Sequence, residues 1–167
     1  MDHNLDACHG LAGRITDELD LEPIMVKAMD SEEGLGWSLE FTQAISTEYR
    51  KYLILCIENP DLPVVPSNYV DDFWHLHILD TMKYEEDCNM FLGGFLHHFP
   101  YFGMRGPEDE KNLTQAWLNT RTLYETRFGS IPDRYWPLSN RCPNCGRRCN
   151  NRTGPYMDLR PRLADCA

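Results

Sequence analysis

The sequence lacks the segments that would direct it into or across a membrane. No apolar run approaches the roughly 20 residues of a spanning helix, and Met1 to Asp6 carry neither the positive nor the apolar part of a secretory signal. Internal repeats and low-complexity stretches are also absent. With 42% hydrophobic and 25% charged residues, the chain is predicted to be a globular, cytoplasmic protein.

Positive charge is scarce as well. The 16 Lys and Arg residues face 26 Asp and Glu residues, which gives a net charge of -10 and a pI near 4.9. Because such a chain repels phosphate backbones and anionic lipids, the composition argues against nucleic acids and membranes as partners.

The familiar catalytic signatures are missing too. We find no Ser-His-Asp order, no phosphate loop, no dinucleotide fingerprint and no His-Glu-x-x-His motif. Any catalytic function therefore has to be sought in less specific groupings of side chains.

Apolar periodicity predicts an all-α fold, a bundle of about four main helices without strand pairs. The expected helices run from about 13 to 30, which Pro23 can interrupt, from a Ser38 cap to about 59, from a Ser67 cap over 68–92, and over 108–128. We expect a helical domain at 1–137, followed by a small, irregular, basic, cysteine-containing tail at 138–167.

Four of the six histidines lie within 24 residues, namely His75, His77, His97 and His98. Aspartates flank them. Imidazole titrates near neutral pH and is the commonest metal ligand, so this cluster is the first candidate for a functional site.

Helical geometry divides the cluster, because each residue turns the helix by about 100 degrees. Asp71 and His75 are one turn apart and can meet, whereas His75 and His77 diverge by about 200 degrees. We predict that Asp71, His75 and either His97 or His98 bind zinc or non-haem iron with an open position for water or dioxygen. The alternative is that Asp71 only hydrogen-bonds His75 and that the His97–His98 pair packs under an aromatic loop.

His77 projects from the apolar stripe of its helix, where it needs a partner such as Asp80 or Tyr84. A satisfied core histidine is the first interpretation. The second is that His77, with Asp72, assists catalysis beside the metal, as a supporting or general-base group.

The tail contains a second candidate metal site. Cys142-Pro143-Asn144-Cys145-Gly146 has the form of a zinc knuckle, and Cys149 and Cys166 would complete four thiolates. Such a site would be closed and structural; the alternatives are a reduced tail or a thiol-based redox or metal-delivery role. The arginines of the tail favour docking on the acidic body of the protein or on an acidic protein partner.

Several segments resemble a known family. They are Met29 to Ser38, Val70 to Thr81 with its Trp-His-x-His-Ile-Leu run, Tyr84 to Cys88, and Gly93 to Gly106 with His-His-Phe-Pro. Over about 15–130 the chain resembles the glycine-rich domain-containing protein-like family, although it lacks a glycine-rich region. The resemblance implies a largely helical domain and supplies no reaction.

The leading functional hypothesis is a metal-dependent hydrolase or oxygenase that acts on an unidentified small molecule or peptide. A noncatalytic interaction or scaffold domain with a structural zinc in the tail is the rival. Metal storage or delivery is a third alternative.

Overall fold

The computed structural model describes residues 3–138, 160 and 162, and the side chains from Gly10 onward. The described residues form six helices and no β-strand, which confirms the all-α prediction. The helices are α1 (His3–Asp17), α2 (Glu22–Met29), α3 (Leu39–Glu58), α4 (Asn68–Leu79), α5 (Thr81–Phe91) and α6 (Pro107–Phe128).

Two of the predicted helices are each divided. The first corresponds to α2 and the last part of α1, which begins at His3 rather than near residue 13. Pro23 lies in the first turn of α2, where the missing N–H costs nothing. The predicted helix over 68–92 breaks at Asp80, whose side chain caps α5 by accepting a hydrogen bond from the Lys83 N–H at 3.3 Å. A continuous third helix was therefore the wrong expectation.

The ends of α3 and α6 follow the sequence signals. The Ser38 hydroxyl accepts a hydrogen bond from the Phe41 N–H at 3.2 Å, as an N-cap should. Helix α6 begins at Pro107 and ends before Gly129, whose φ of 84° suits a residue without a side chain.

The chain divides into two compact units. The first comprises the residues up to Glu58 together with Tyr69–Leu96, and the second comprises Asn59–Asn68 together with the residues from His97 onward. In the first unit α3 packs against α1 and α2, and α1 also packs against α5. Its core contains the fully buried side chains of Ile15, Ile45, Tyr49, Phe73 and Trp74.

The second unit is built around α6. The Trp136 ring stacks on Trp117 at 5.9 Å and contacts Tyr124 at 5.3 Å. The extended segment before α4 joins this unit through the Val65 N–H, which donates to the Thr120 hydroxyl at 2.8 Å.

No helix in the described part of the chain is long and apolar enough to cross a membrane. Most of the predicted tail, including Cys142, Cys145, Cys149 and Cys166, lies outside the described residues. The boundary at 137 and the zinc knuckle therefore stay predictions.

Candidate metal centre

Asp71 and His75 face each other across one turn of α4. The Asp71 side chain is fully buried and that of His75 is 35% exposed, and His75 Nε2 lies 3.6 Å from Asp71 Oδ2. This separation is longer than the 2.7–2.9 Å typical of a charge-assisted hydrogen bond. Asp71 and His75 therefore face each other as predicted, but Nε2 and Oδ2 are farther apart than in a direct hydrogen bond.

One of the two adjacent loop histidines, His98, belongs to a group of possible metal ligands. Asp71, His75 and His98 each offer one ligand atom, and the three atoms lie within 4.8 Å of one another. His98 is half-buried, whereas His97 is exposed and does not belong to this group.

The spacing of these atoms is close to that of a metal site. Zinc lies about 2.0–2.2 Å from imidazole nitrogen and carboxylate oxygen, so two ligand atoms of a tetrahedral ion are about 3.3–3.6 Å apart. The 3.6 Å separation fits as it stands. The other pairs lie within 4.8 Å and would have to close by up to about 1.5 Å around a tetrahedral ion.

Hydrogen bonds hold the chain on the N-terminal side of His98. The Tyr84 hydroxyl accepts a hydrogen bond from Trp74 Nε1 at 2.9 Å and donates one to the Leu96 carbonyl at 2.5 Å. All three residues are buried. The backbone two residues before His98 is thereby tied to α4 and α5.

The chain on the C-terminal side of His98 is held by packing. The centre of the buried Phe99 ring lies 5.5 Å from the centre of the Tyr101 ring and 5.2 Å from the Arg105 guanidinium. Asp109 fixes Arg105 through an ion pair of 2.8 Å and also accepts from the Gly103 N–H at 2.7 Å. Arg105 is thus paired with a carboxylate.

His77 belongs to a different, buried network. Its Nδ1 lies 2.9 Å from the Tyr49 hydroxyl and its Nε2 lies 2.9 Å from Asp87 Oδ2. Lys83 pairs with the same carboxylate oxygen at 3.1 Å. Both ring nitrogens are therefore engaged, as expected for a core histidine, but with partners other than Asp80 or Tyr84.

Sequence reasoning missed Tyr49 and Asp87. Residues 77 and 87 would lie about 15 Å apart along one straight helix. The break at Asp80 brings them into contact. Tyr49 belongs to α3, 28 positions earlier, and no local pattern links it to His77.

The electrostatics of this network are consistent with a neutral tyrosine and a charged aspartate. Burial raises the pKa of Tyr49 well above 10. Burial also acts to raise the pKa of Asp87, but hydrogen bonds from His77 and Lys83 outweigh it, and the result is a lowered pKa. The carboxylate is therefore charged at neutral pH.

A second buried tyrosine of α3 stands out. Tyr52 is fully buried, and within the described part of the chain its hydroxyl oxygen has no hydrogen-bond partner. Together with burial, the Cys56 thiol raises the pKa of Tyr52, but this weak acceptor does not meet hydrogen-bond geometry with the hydroxyl. The sequence carried no signal for this residue beyond its place on an apolar face.

Asp72, the other predicted catalytic residue, is half-buried beside Asp71 on α4. Its assisting role stays a prediction. A surface groove of about 610 Å³ lies elsewhere along the chain, lined by Pro23, Val26, Lys27, Met29 and Asp30, and contains none of the candidate ligands.

Comparison with known proteins assigns a family without a reaction. The model of a family described as UCP032817-like, which is uncharacterised, matches residues 14–125, more than half of the chain. This match corrects the resemblance to the glycine-rich domain-containing family, which was wrong. No curated protein and no solved structure matches the chain.

Proposed function

The chain belongs to the UCP032817-like family, and we propose that Asp71, His75 and His98 bind a divalent metal ion that activates water or dioxygen. The observation that carries this proposal is the approach of the three ligand atoms to within 4.8 Å of one another. A substrate, which we expect to be a small molecule or a peptide, would bind at a remaining coordination position.

The donor set supports a catalytic rather than a structural ion. Structural zinc sites have four protein ligands, usually thiolates and imidazoles, whereas catalytic sites keep three and leave a position open. Two imidazoles and one carboxylate occur in catalytic zinc sites and in non-haem iron sites. The partial exposure of His75 and His98 would give a bound ion access to solvent.

The burial of Asp71 is compatible with this assignment. A divalent ion bound there would place its positive charge against a fully buried carboxylate. The buried aspartate would fix the ion while the two imidazoles face the accessible side.

Metal analysis of the full-length, untagged protein tests the proposal. Because the tail cysteines could hold zinc of their own, the measurements are made in a background carrying Cys142→Ser, Cys145→Ser, Cys149→Ser and Cys166→Ser. We expect about one zinc or iron ion per chain in this background.

The two adjacent histidines provide a matched pair of variants. His98→Ala should weaken metal binding by roughly 100-fold or more, because a direct ligand contributes at least as much as the supporting groups whose loss costs 10–100-fold. His97→Ala should leave it unchanged. Equal affinities in the two variants, or no bound metal in the background protein, would refute the helical site and favour the noncatalytic scaffold.

A further inference from the structure

The contacts between α3 and α4 place Tyr52 toward the Asp71 end of α4. Tyr49 contacts His77, with ring centres 5.8 Å apart, whereas Tyr52, three residues later, contacts Trp74 at 5.3 Å, three residues earlier. The two helices therefore run in opposite directions along this contact. Asp71 lies three residues before Trp74 on α4, about one helical turn farther in the same direction.

The Tyr52 hydroxyl differs from the other core tyrosines in this region. Tyr49 bonds His77 and Tyr84 bonds the Leu96 carbonyl, whereas the described residues offer Tyr52 no acceptor. A buried hydroxyl without a partner is destabilising, and native proteins rarely retain one without a reason.

Tyr52 is also electrostatically linked to the candidate site. Burial raises the pKa of Tyr52 well above 10, and the charge of Asp71 is among the groups that raise it further. The phenol is consequently protonated at neutral pH and can act as a donor. The Tyr52 hydroxyl makes no hydrogen bond to Asp71.

We infer that Tyr52 is a positioning residue that donates a hydrogen bond to the exogenous ligand of the metal centre. This inference rests on the proposed function above. It specifies the chemistry of the ligand: an atom bound to the ion must also accept a hydrogen bond, as the oxygen of a carboxylate or hydroxide does. A purely apolar ligand would leave the hydroxyl unsatisfied.

Azide binding to the cobalt-loaded protein tests this inference, because azide is an anionic acceptor and Co²⁺ reports its binding through visible absorption. In the background without tail cysteines, Tyr52→Phe should bind Co²⁺ as tightly as its parent but azide about tenfold more weakly, since a hydrogen bond to a charged group has at least this effect. The control Tyr49→Phe should leave the azide affinity unchanged.

The outcomes separate the inference from the proposed function. Failure to bind Co²⁺ overturns both, whereas Co²⁺ binding with equal azide affinities in Tyr52→Phe and its parent overturns the inference alone. Thermal unfolding of the metal-free proteins gives a second readout. Tyr52→Phe should not lower Tm, because no hydrogen bond is lost. Tyr49→Phe should lower Tm, because the bond to His77 is lost. An equal decrease in both variants would mean that Tyr52 already has a protein partner and would also overturn the inference.

Discussion

At the scale of single residues, the sequence predicted what helical spacing can determine. Asp71 and His75 are one turn apart, so their meeting follows from geometry, and the 200-degree divergence of His75 from His77 separated their environments. That His98 rather than His97 joins Asp71 and His75 was not predictable. The directions of two adjacent loop side chains depend on backbone angles, and contacts distant in sequence determine those angles.

The buried network of His77 yields a prediction on pH. The lowered pKa of Asp87 means that its contribution to stability is complete above the unfolded pKa, near 3.8, and is lost as the pH falls through the folded value. Asp87→Asn should lower the free energy of unfolding at pH 7 by roughly 1.5–3 kcal/mol, because it removes hydrogen bonds to a charged group. Urea unfolding between pH 7 and pH 2 measures the difference.

The difference between Asp87→Asn and the parent should begin to shrink below about pH 3.8, where the unfolded parent takes up a proton, and should shrink further as the pH falls through the lowered pKa of Asp87 in the folded chain. Glu86→Gln is a suitable control, since this neighbour on α5 is exposed. A difference that stays constant down to pH 2 would show that Asp87 acts through packing rather than charge.

At the scale of helices, the sequence located the start of α3 and the end of α6 but not the break between α4 and α5. The junction Leu79-Asp80-Thr81 contains neither proline nor glycine, and the apolar pattern continues across it. The only local sign was Asp80, a residue type that favours N-caps. The decisive contacts are tertiary, because the His77–Asp87 and Trp74–Tyr84 pairs form only when α5 departs from the axis of α4.

The cap at Asp80 can be tested by substitution. Asp80→Ala should lower the free energy of unfolding by about 1 kcal/mol, because the Lys83 N–H loses its acceptor at the start of α5. Asp80→Asn should cost much less, since an amide oxygen caps equally well. Denaturant unfolding of the parent and the two variants measures these free energies. Equal decreases in both variants would indicate that α5 requires the carboxylate charge rather than the cap.

At the scale of the whole molecule, composition and periodicity were enough for the all-α class, because hydrophobic spacing reports helices directly. The division into two units was not predictable. The segment 59–68 groups with residues from His97 onward through contacts such as Val65 with Thr120, which lie 55 positions apart. The candidate centre was likewise predicted as a set of residue types, and only the fold could select among them.

Metal binding should also stabilise the whole molecule, because an ion that binds only the folded chain shifts the unfolding equilibrium. At 100 times its dissociation constant the gain is about 2.7 kcal/mol, which for a chain of this size raises Tm by roughly 5–10 °C. In the background without tail cysteines, Zn²⁺ or Co²⁺ should produce this increase in the parent and in His97→Ala but not in His98→Ala, as scanning calorimetry can measure. A comparable increase in His98→Ala would place the stabilising ion elsewhere in the chain, because the three-ligand centre cannot form without that imidazole.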